Sequence, residues 1–321
     1  MSGSPGQSGR SEDLDGSPTR HAGTNGLRQV VPGVELIEII GRGGFAVVYR
    51  ARHLGMGREV AVKLDGRLLE DPRNRRRFLR EATAAGQISG HPHVVSLIDA
   101  GEASDGRAYL VMEYCPGGSL ADVLRAGGPL PAENAVRVGL AITSALAAAH
   151  EADILHRDIK PANVLIDAYG TPRLSDFGLA AFISADGDSS VTLEALTPGY
   201  ASPEAFSLAE PTKRSDVWSM GATLHAMISL SSPRRTADGS PAPLDQVLSH
   251  LNDPLPLPQL PGAEPFLAVI RRATAQAPQD RYADGRELYA ALQAAADEMR
   301  VGGGVGGLLP PMAPPPAASP V

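Results

Sequence analysis

The sequence predicts an α+β chain in which the strands come first and the helices follow. Three observations carry this reading. Residues 34–113 are a succession of β-branched, loosely alternating runs with one helical stretch between them. Pro116-Gly117-Gly118 then breaks the last of these runs. After Ser119 the pattern becomes helical, with Val138, Ile142, Ala145 and Ala149 at i, i+4, i+7 and i+11. Strands and helices segregated in this way build a β-rich part and a helical part rather than an alternating sheet.

Each element has a local cause. Val34 to Gly41 is a strand that runs into Gly41, Gly43 and Gly44, and Phe45 to Tyr49 resumes β-rich sequence beyond them. Glycines there let the backbone fold over phosphates and present its amides with no Cβ in the way. A dinucleotide fold would need a helix to open right after the glycines, and the β-branched and aromatic run to Tyr49 is poor helix sequence. Glu59 to Leu64 is a third strand, with Lys63 set among apolar neighbours; lysine is rarely buried unless paired. Asp71-Pro72 opens the interrupting helix, proline being well placed in a first turn. Ala108 to Tyr114 is the strand that ends at the Pro-Gly-Gly break.

With 321 residues, 43% hydrophobic and 20% charged, the chain can bury a sizeable core in one large domain. A net charge of −7 argues against a general nucleic-acid binder. There is no apolar run near the ~20 residues that cross a bilayer, so no membrane partner is expected. The start, rich in Gly, Ser, Asp and Arg, does not resemble a signal peptide. Cys115 is the single cysteine, so no internal disulfide can form, and a cytoplasmic location is expected. It reads as a small apolar hinge residue rather than a reactive thiol. His91 and His93 flank a proline without further ligands and are assigned no metal. Residues 1–33 are expected to be disordered, and 299–321 to form a flexible Gly/Pro-rich tail.

The chemistry is concentrated in His156-Arg157-Asp158-Ile159-Lys160-Pro161-Ala162-Asn163 and, further on, Asp176-Phe177-Gly178. Phosphoryl transfer needs a carboxylate to orient the attacking hydroxyl, cations to absorb charge, and oxygen donors to hold metal. Asp158, Lys160, Asn163 and Asp176 supply those types. Order, spacing and flanking residues resemble the catalytic and magnesium loops of the protein kinase family, specifically the eukaryotic-like (Hanks-type) serine/threonine kinases of bacteria. The resemblance covers residues 34–298. It implies the two-lobed protein kinase fold, with a small lobe at 34–114 and a larger, mainly helical lobe at 115–298.

The resemblance also implies roles. Asp158 would face the substrate hydroxyl, Lys160 would neutralise the γ-phosphate, and Asn163 and Asp176 would hold magnesium. Lys63 would bridge the nucleotide's α/β-phosphates to Glu81. Gly41, Gly43, Gly44, Val48, Ala61, Leu165 and backbone groups of Glu113 and Cys115 would complete the ATP site, with Met112 beside the adenine. Thr197 would contact Asp158 and Lys160. Asp216 would hold the catalytic-loop backbone, and Glu204 would pair with Arg281. Arg157 needs an anion, for which Thr192, once phosphorylated, and Glu194 are the candidates. ATP and Mg2+, serine- or threonine-bearing protein substrates, and self-association for autophosphorylation follow from the same resemblance.

Three departures stand out. Ala46 replaces the third glycine of the loop, Ser202 replaces a commoner alanine, and residues 230–261 lack the usual Gly-x-x-Pro-Phe turn while carrying an Arg234-Arg235 pair. Substrate-docking surface normally lies in that last stretch. The rival readings are a nucleotide-binding pseudokinase scaffold and a small-molecule phosphotransferase of the same fold. Lys63, Asp158, Asn163 and Asp176 are all present, against the first; Thr197 upstream of Pro203-Glu204 favours a protein substrate, against the second.

Overall fold

The structure is a computed structural model and describes residues 30–43, 46–69, 71–177, 197–229, 234, 242–251 and 253–302. Five strands form one antiparallel sheet: β1 (Val34–Gly43), β2 (Ala46–His53), β3 (Arg58–Leu68), β4 (Leu97–Glu102) and β5 (Arg107–Glu113), in the order β1-β2-β3-β5-β4. The period of two along β3 divides its side chains between two environments. Val60, Val62 and Leu64 join Val34, Leu36, Ala51 and Val111 in one apolar cluster. Lys63 lies on the other face, opposite Leu110 of β5 and Val48 of β2. Helix α1 (Pro72–Ile88) covers that second face, packing Phe78 and Ala82 against Ala108 and Leu110. As expected, Asp71 caps it, accepting from the Arg73 N–H at 2.8 Å, with Pro72 in its first turn.

The packed region is longer at both ends than the sequence suggested. Val30 and Val31 are buried in the small-lobe core, and the Val30 carbonyl accepts from the Ser104 N–H. Met299 and Val301 pack against the large-lobe core. Two apolar residues before Pro32 and two after the last helix supply enough contact to hold these short extensions down.

The large lobe contains α2 (Leu120–Gly127), α3 (Ala132–Glu151), the hairpin β6 (Val164–Ile166) and β7 (Pro172–Leu174), then α4 (Lys213–Ile228), α5 (Leu244–Ser249), α6 (Glu264–Ala273) and α7 (Gly285–Glu298). Every residue of α4 from Asp216 to Ile228 is buried, so this helix is the centre of the lobe rather than an amphipathic cover. Its polar members fold back on it: Thr223 and Ser219 donate to carbonyls one turn earlier. The predicted stripe Val138, Ile142, Ala145 and Ala149 is fully buried on α3; each such aliphatic group contributes on the order of 1–3 kcal/mol. Helix α7 approaches α3 closely at Gly285, where a Cβ would lie 2.7 Å from the Ala147 nitrogen. Any side chain there would force the two helices apart. Among the described residues, no helix is long and apolar enough to cross a membrane.

Candidate active site

The catalytic loop leaves α3, passes through His156 to Asn163 and enters β6. Its entry is held from below by Asp216 at the start of α4. One carboxylate oxygen accepts from the Arg157 N–H at 2.8 Å, and the other from the His156 N–H at 2.7 Å. These bonds hold Arg157 in a left-handed conformation, φ 69°, which few non-glycine residues adopt without such support. Asp216 also meets the Nε2 of His150 at 3.0 Å, and the His150 Nδ1 accepts from the Gly285 N–H at 2.9 Å. The accepting Nδ1 makes Nε2 the protonated nitrogen, so the ring donates to Asp216. His150 was not among the sequence candidates; its one signal is a histidine ending an otherwise alanine-rich buried stripe.

Above this base the functional groups converge. Asp158 Oδ1 accepts from the Thr197 hydroxyl at 3.1 Å, while its Oδ2 takes the Asn163 amide at 3.0 Å and the Lys160 ammonium at 2.8 Å. Lys160 donates to Thr197 Oγ1 as well, at 2.9 Å. The Asn163 amide also donates to the Asp158 carbonyl at 2.7 Å, and Ser175 ties the Asn163 carbonyl to the segment carrying Asp176. The His156 ring rests against Phe177 with centroids 4.7 Å apart, and burial lowers its pKa despite nearby carboxylates.

Lys63 reaches across from the small lobe to Asp176 Oδ1 at 2.7 Å. Burial pushes the Asp176 carboxyl up, but the Lys63 ammonium outweighs it and the group lies below its usual range. It is therefore ionised at neutral pH. The expected Lys63–Glu81 pair is not formed. Glu81 instead takes the Nε of Arg77, one turn away on α1, at 3.2 Å, and its Oε2 is buried with no partner. Lys63 is engaged by Asp176, and helix geometry offers Glu81 a cation at i−4. Burial is the leading influence on Glu81 and raises its pKa; Arg77, Arg157 and Arg80 only partly offset it.

The nucleotide-site candidates sit around this pair. Val48, Ala61 and Lys63 share one face of the sheet, and Ala61 lies opposite Met112. Gly41 pairs with Val48, and Gly43 ends β1; Gly44 lies outside the described residues. Leu165 on β6 bridges to Ser119 below the hinge. Cys115 is buried and its thiol is pushed up to about 12, mainly by that burial. Glu113 keeps its side chain near Arg173, at 3.3 Å. Glu204 and Arg281 form a two-pronged pair at 2.8 and 2.9 Å. Arg157 is exposed, and Thr192 and Glu194 lie outside the described residues. His93 bonds the Pro172 carbonyl at 3.0 Å and packs its ring against His91.

Residues 34–283 match the protein kinase domain family. The chain belongs to the protein kinase family. Similar proteins include the serine/threonine-protein kinase PknK of Mycobacterium tuberculosis, 38% identical over 257 residues, covering 80% of this chain and 23% of that protein. PknH of the same species is 38% identical over 270 residues, covering 82% of this chain and 42% of that one. PrkC of Bacillus subtilis is 35% identical over 273 residues, covering 83% and 41%. The chain thus spans less than half the length of these relatives. Among solved structures, the PknI kinase domain of M. tuberculosis superposes with a TM-score of 0.61 at 26% identity, covering 84% of this chain and 98% of that one. The β-rich small lobe and helical large lobe of this kinase are the two-lobed arrangement its sequence implied.

Proposed function

We propose that this kinase transfers the γ-phosphate of ATP to serine or threonine hydroxyls of proteins. The observation that carries the reading is the single cluster of Asp158, Lys160, Asn163 and Thr197, hydrogen-bonded to one another, with Lys160 in electrostatic reach of the Asp176 that bridges to Lys63. Asp158 would orient the acceptor hydroxyl and take its proton, Lys160 would meet the charge on the transferred group, and Thr197 holds both in register. Lys63, now on Asp176, would turn to the nucleotide phosphates.

The donor set fits magnesium. Asp176 is anionic, and a carboxylate and an amide oxygen are the hard ligands this ion prefers. Asp176 and Asn163 would hold it, and the ion would supply positive charge to the phosphate oxygens. Phosphotransfer from labelled ATP and magnesium to a generic basic protein tests the reading. Asp158→Asn should keep ATP binding and melting temperature while slowing transfer by about 10²–10⁴-fold. An Asp158→Asn protein working at the wild-type rate would overturn the assignment.

Regulation follows from Arg157, which is exposed and within electrostatic reach of Glu81 but forms no close ion pair among the described residues. A phosphate on Thr192, added by a second copy during transient self-association, or the Glu194 carboxylate would supply the anion. Mass spectrometry after incubation with magnesium-ATP, beside the rates of Thr192→Ala and Glu194→Gln, separates the two. An unmodified loop with both variants at full rate would exclude both. The single cysteine, buried and with no second cysteine to pair with, fits the cytoplasm as the place of action.

A further inference from the structure

The stretch after α4, where the expected Gly-x-x-Pro-Phe turn is missing, places one side chain where it can act on the site. Arg234 turns inward, and its Nη1 donates to the Pro198 carbonyl and to the Ala201 carbonyl, each at 2.8 Å. The guanidinium carbon lies 4.6 Å above the Trp218 ring and 5.1 Å from the Phe206 ring. Among the described residues no carboxylate pairs with it. Burial pushes the group down to about 10, so it remains a cation at neutral pH.

A cation removed from water without a counter-ion is costly. Here the offset comes from two charge-assisted bonds to carbonyls and from the faces of two aromatic rings. Among the described residues, both side-chain hydrogen bonds go to one loop. That loop begins at Thr197, whose hydroxyl touches Asp158 and Lys160. Arg234 thus grips from behind the loop whose front edge meets the carboxylate assigned to the acceptor hydroxyl.

We propose that Arg234 is a positioning residue for the protein substrate, fixing the Pro198–Ala201 backbone against which the chain beside the acceptor serine or threonine is laid. The proposal rests on the kinase reading above and narrows it to substrate selection. Lysine cannot replace this group, since an ammonium lacks both the planar fork and the flat face that stacks on rings.

The test compares wild type with Arg234→Met and Arg234→Lys, using a synthetic peptide that carries arginine and one serine as the acceptor. KM and kcat for the peptide, Kd for ATP and the thermal midpoint are read on each protein. Loss of bonds to a charged donor should raise the peptide KM about tenfold to a hundredfold in both variants, with the ATP Kd at its wild-type value. A wild-type peptide KM in Arg234→Met, or equal losses in peptide and ATP binding, would overturn the proposal. Should Arg234→Met not fold, Arg234→Lys decides; should neither fold, Arg234 is a core residue and the proposal fails. A wild-type protein that phosphorylates neither peptide nor itself would instead overturn the kinase reading.

Discussion

Two partly buried glutamates of this kinase, Glu204 in the large lobe and Glu81 in the small one, differ in their surroundings. Glu204 accepts from both terminal nitrogens of Arg281 and from the Ser215 hydroxyl. Arg281 is fully buried and uses its remaining N–H groups on the carbonyls of Ala275, Arg214 and Gln276, so that all five donors are engaged. Glu81 has one bond, to a neighbour on its own helix, and an oxygen that bonds nothing. Burial presses on both carboxyls; Arg281 more than offsets it for Glu204, whereas Glu81 stays above its ordinary value. The Glu204–Arg281 pair is a closed set of partners. The Glu81 pairing has an acceptor left over and is therefore open to exchange.

The largest expected effect breaks the closed side. Arg281→Met leaves Glu204 buried without its cation and should lower unfolding free energy by about 3–5 kcal/mol, read from urea titrations at pH 7. Because the folded pKa of Glu204 is depressed, the pair's contribution is complete above 4.5 and is lost as pH falls through the folded value. The gap between wild type and variant should therefore narrow in acid. Equal stabilities at pH 7 would make this pair as exchangeable as the other.

Lys63→Met probes the exchangeable side by removing the cation that now holds Asp176. Turnover should drop by about 10²–10³-fold, further than nucleotide affinity, when both are measured on one preparation. An active Lys63→Met enzyme would assign the phosphate-aligning charge to another residue.

Smallest is Glu81→Gln. A glutamine spares the burial of a charge, so the variant should be more stable than wild type by up to about 1 kcal/mol at neutral pH while transferring phosphate more slowly. The folded pKa of Glu81 is raised, so wild type holds its full stability below 4.5 and loses ground as pH rises through the folded value. The difference should be absent in acid and open on the alkaline side. A Glu81→Gln protein less stable than wild type at pH 7 would show Glu81 already paired with Lys63 in solution.

What could be read from the sequence follows the same division. Asp158, Lys160, Asn163 and Asp176 were legible because their chemistry is carried by residues close in the chain, and Asp216, Glu204 and Arg281 because each stands in its own motif. The partner of Glu81 was not, because it depends on how α1 is turned over the sheet, and the same helix sequence serves either rotation. Arg234 was visible as a charge in an aberrant stretch, but its role needs rings and carbonyls brought in from two other segments. Val30 and Val31 were missed since two valines before a proline do not make a periodic pattern.

The bond from Gly285 to His150 joins positions 135 residues apart. During synthesis the histidine, Asp216 and the whole catalytic loop leave the ribosome before that glycine is made. Until translation has passed Gly285, the ring has no donor to select which nitrogen carries its proton, and Asp216 has no fixed donor on that side. A nascent chain can thus hold every residue of the candidate site while still lacking the contact that orients the His150 ring against Asp216.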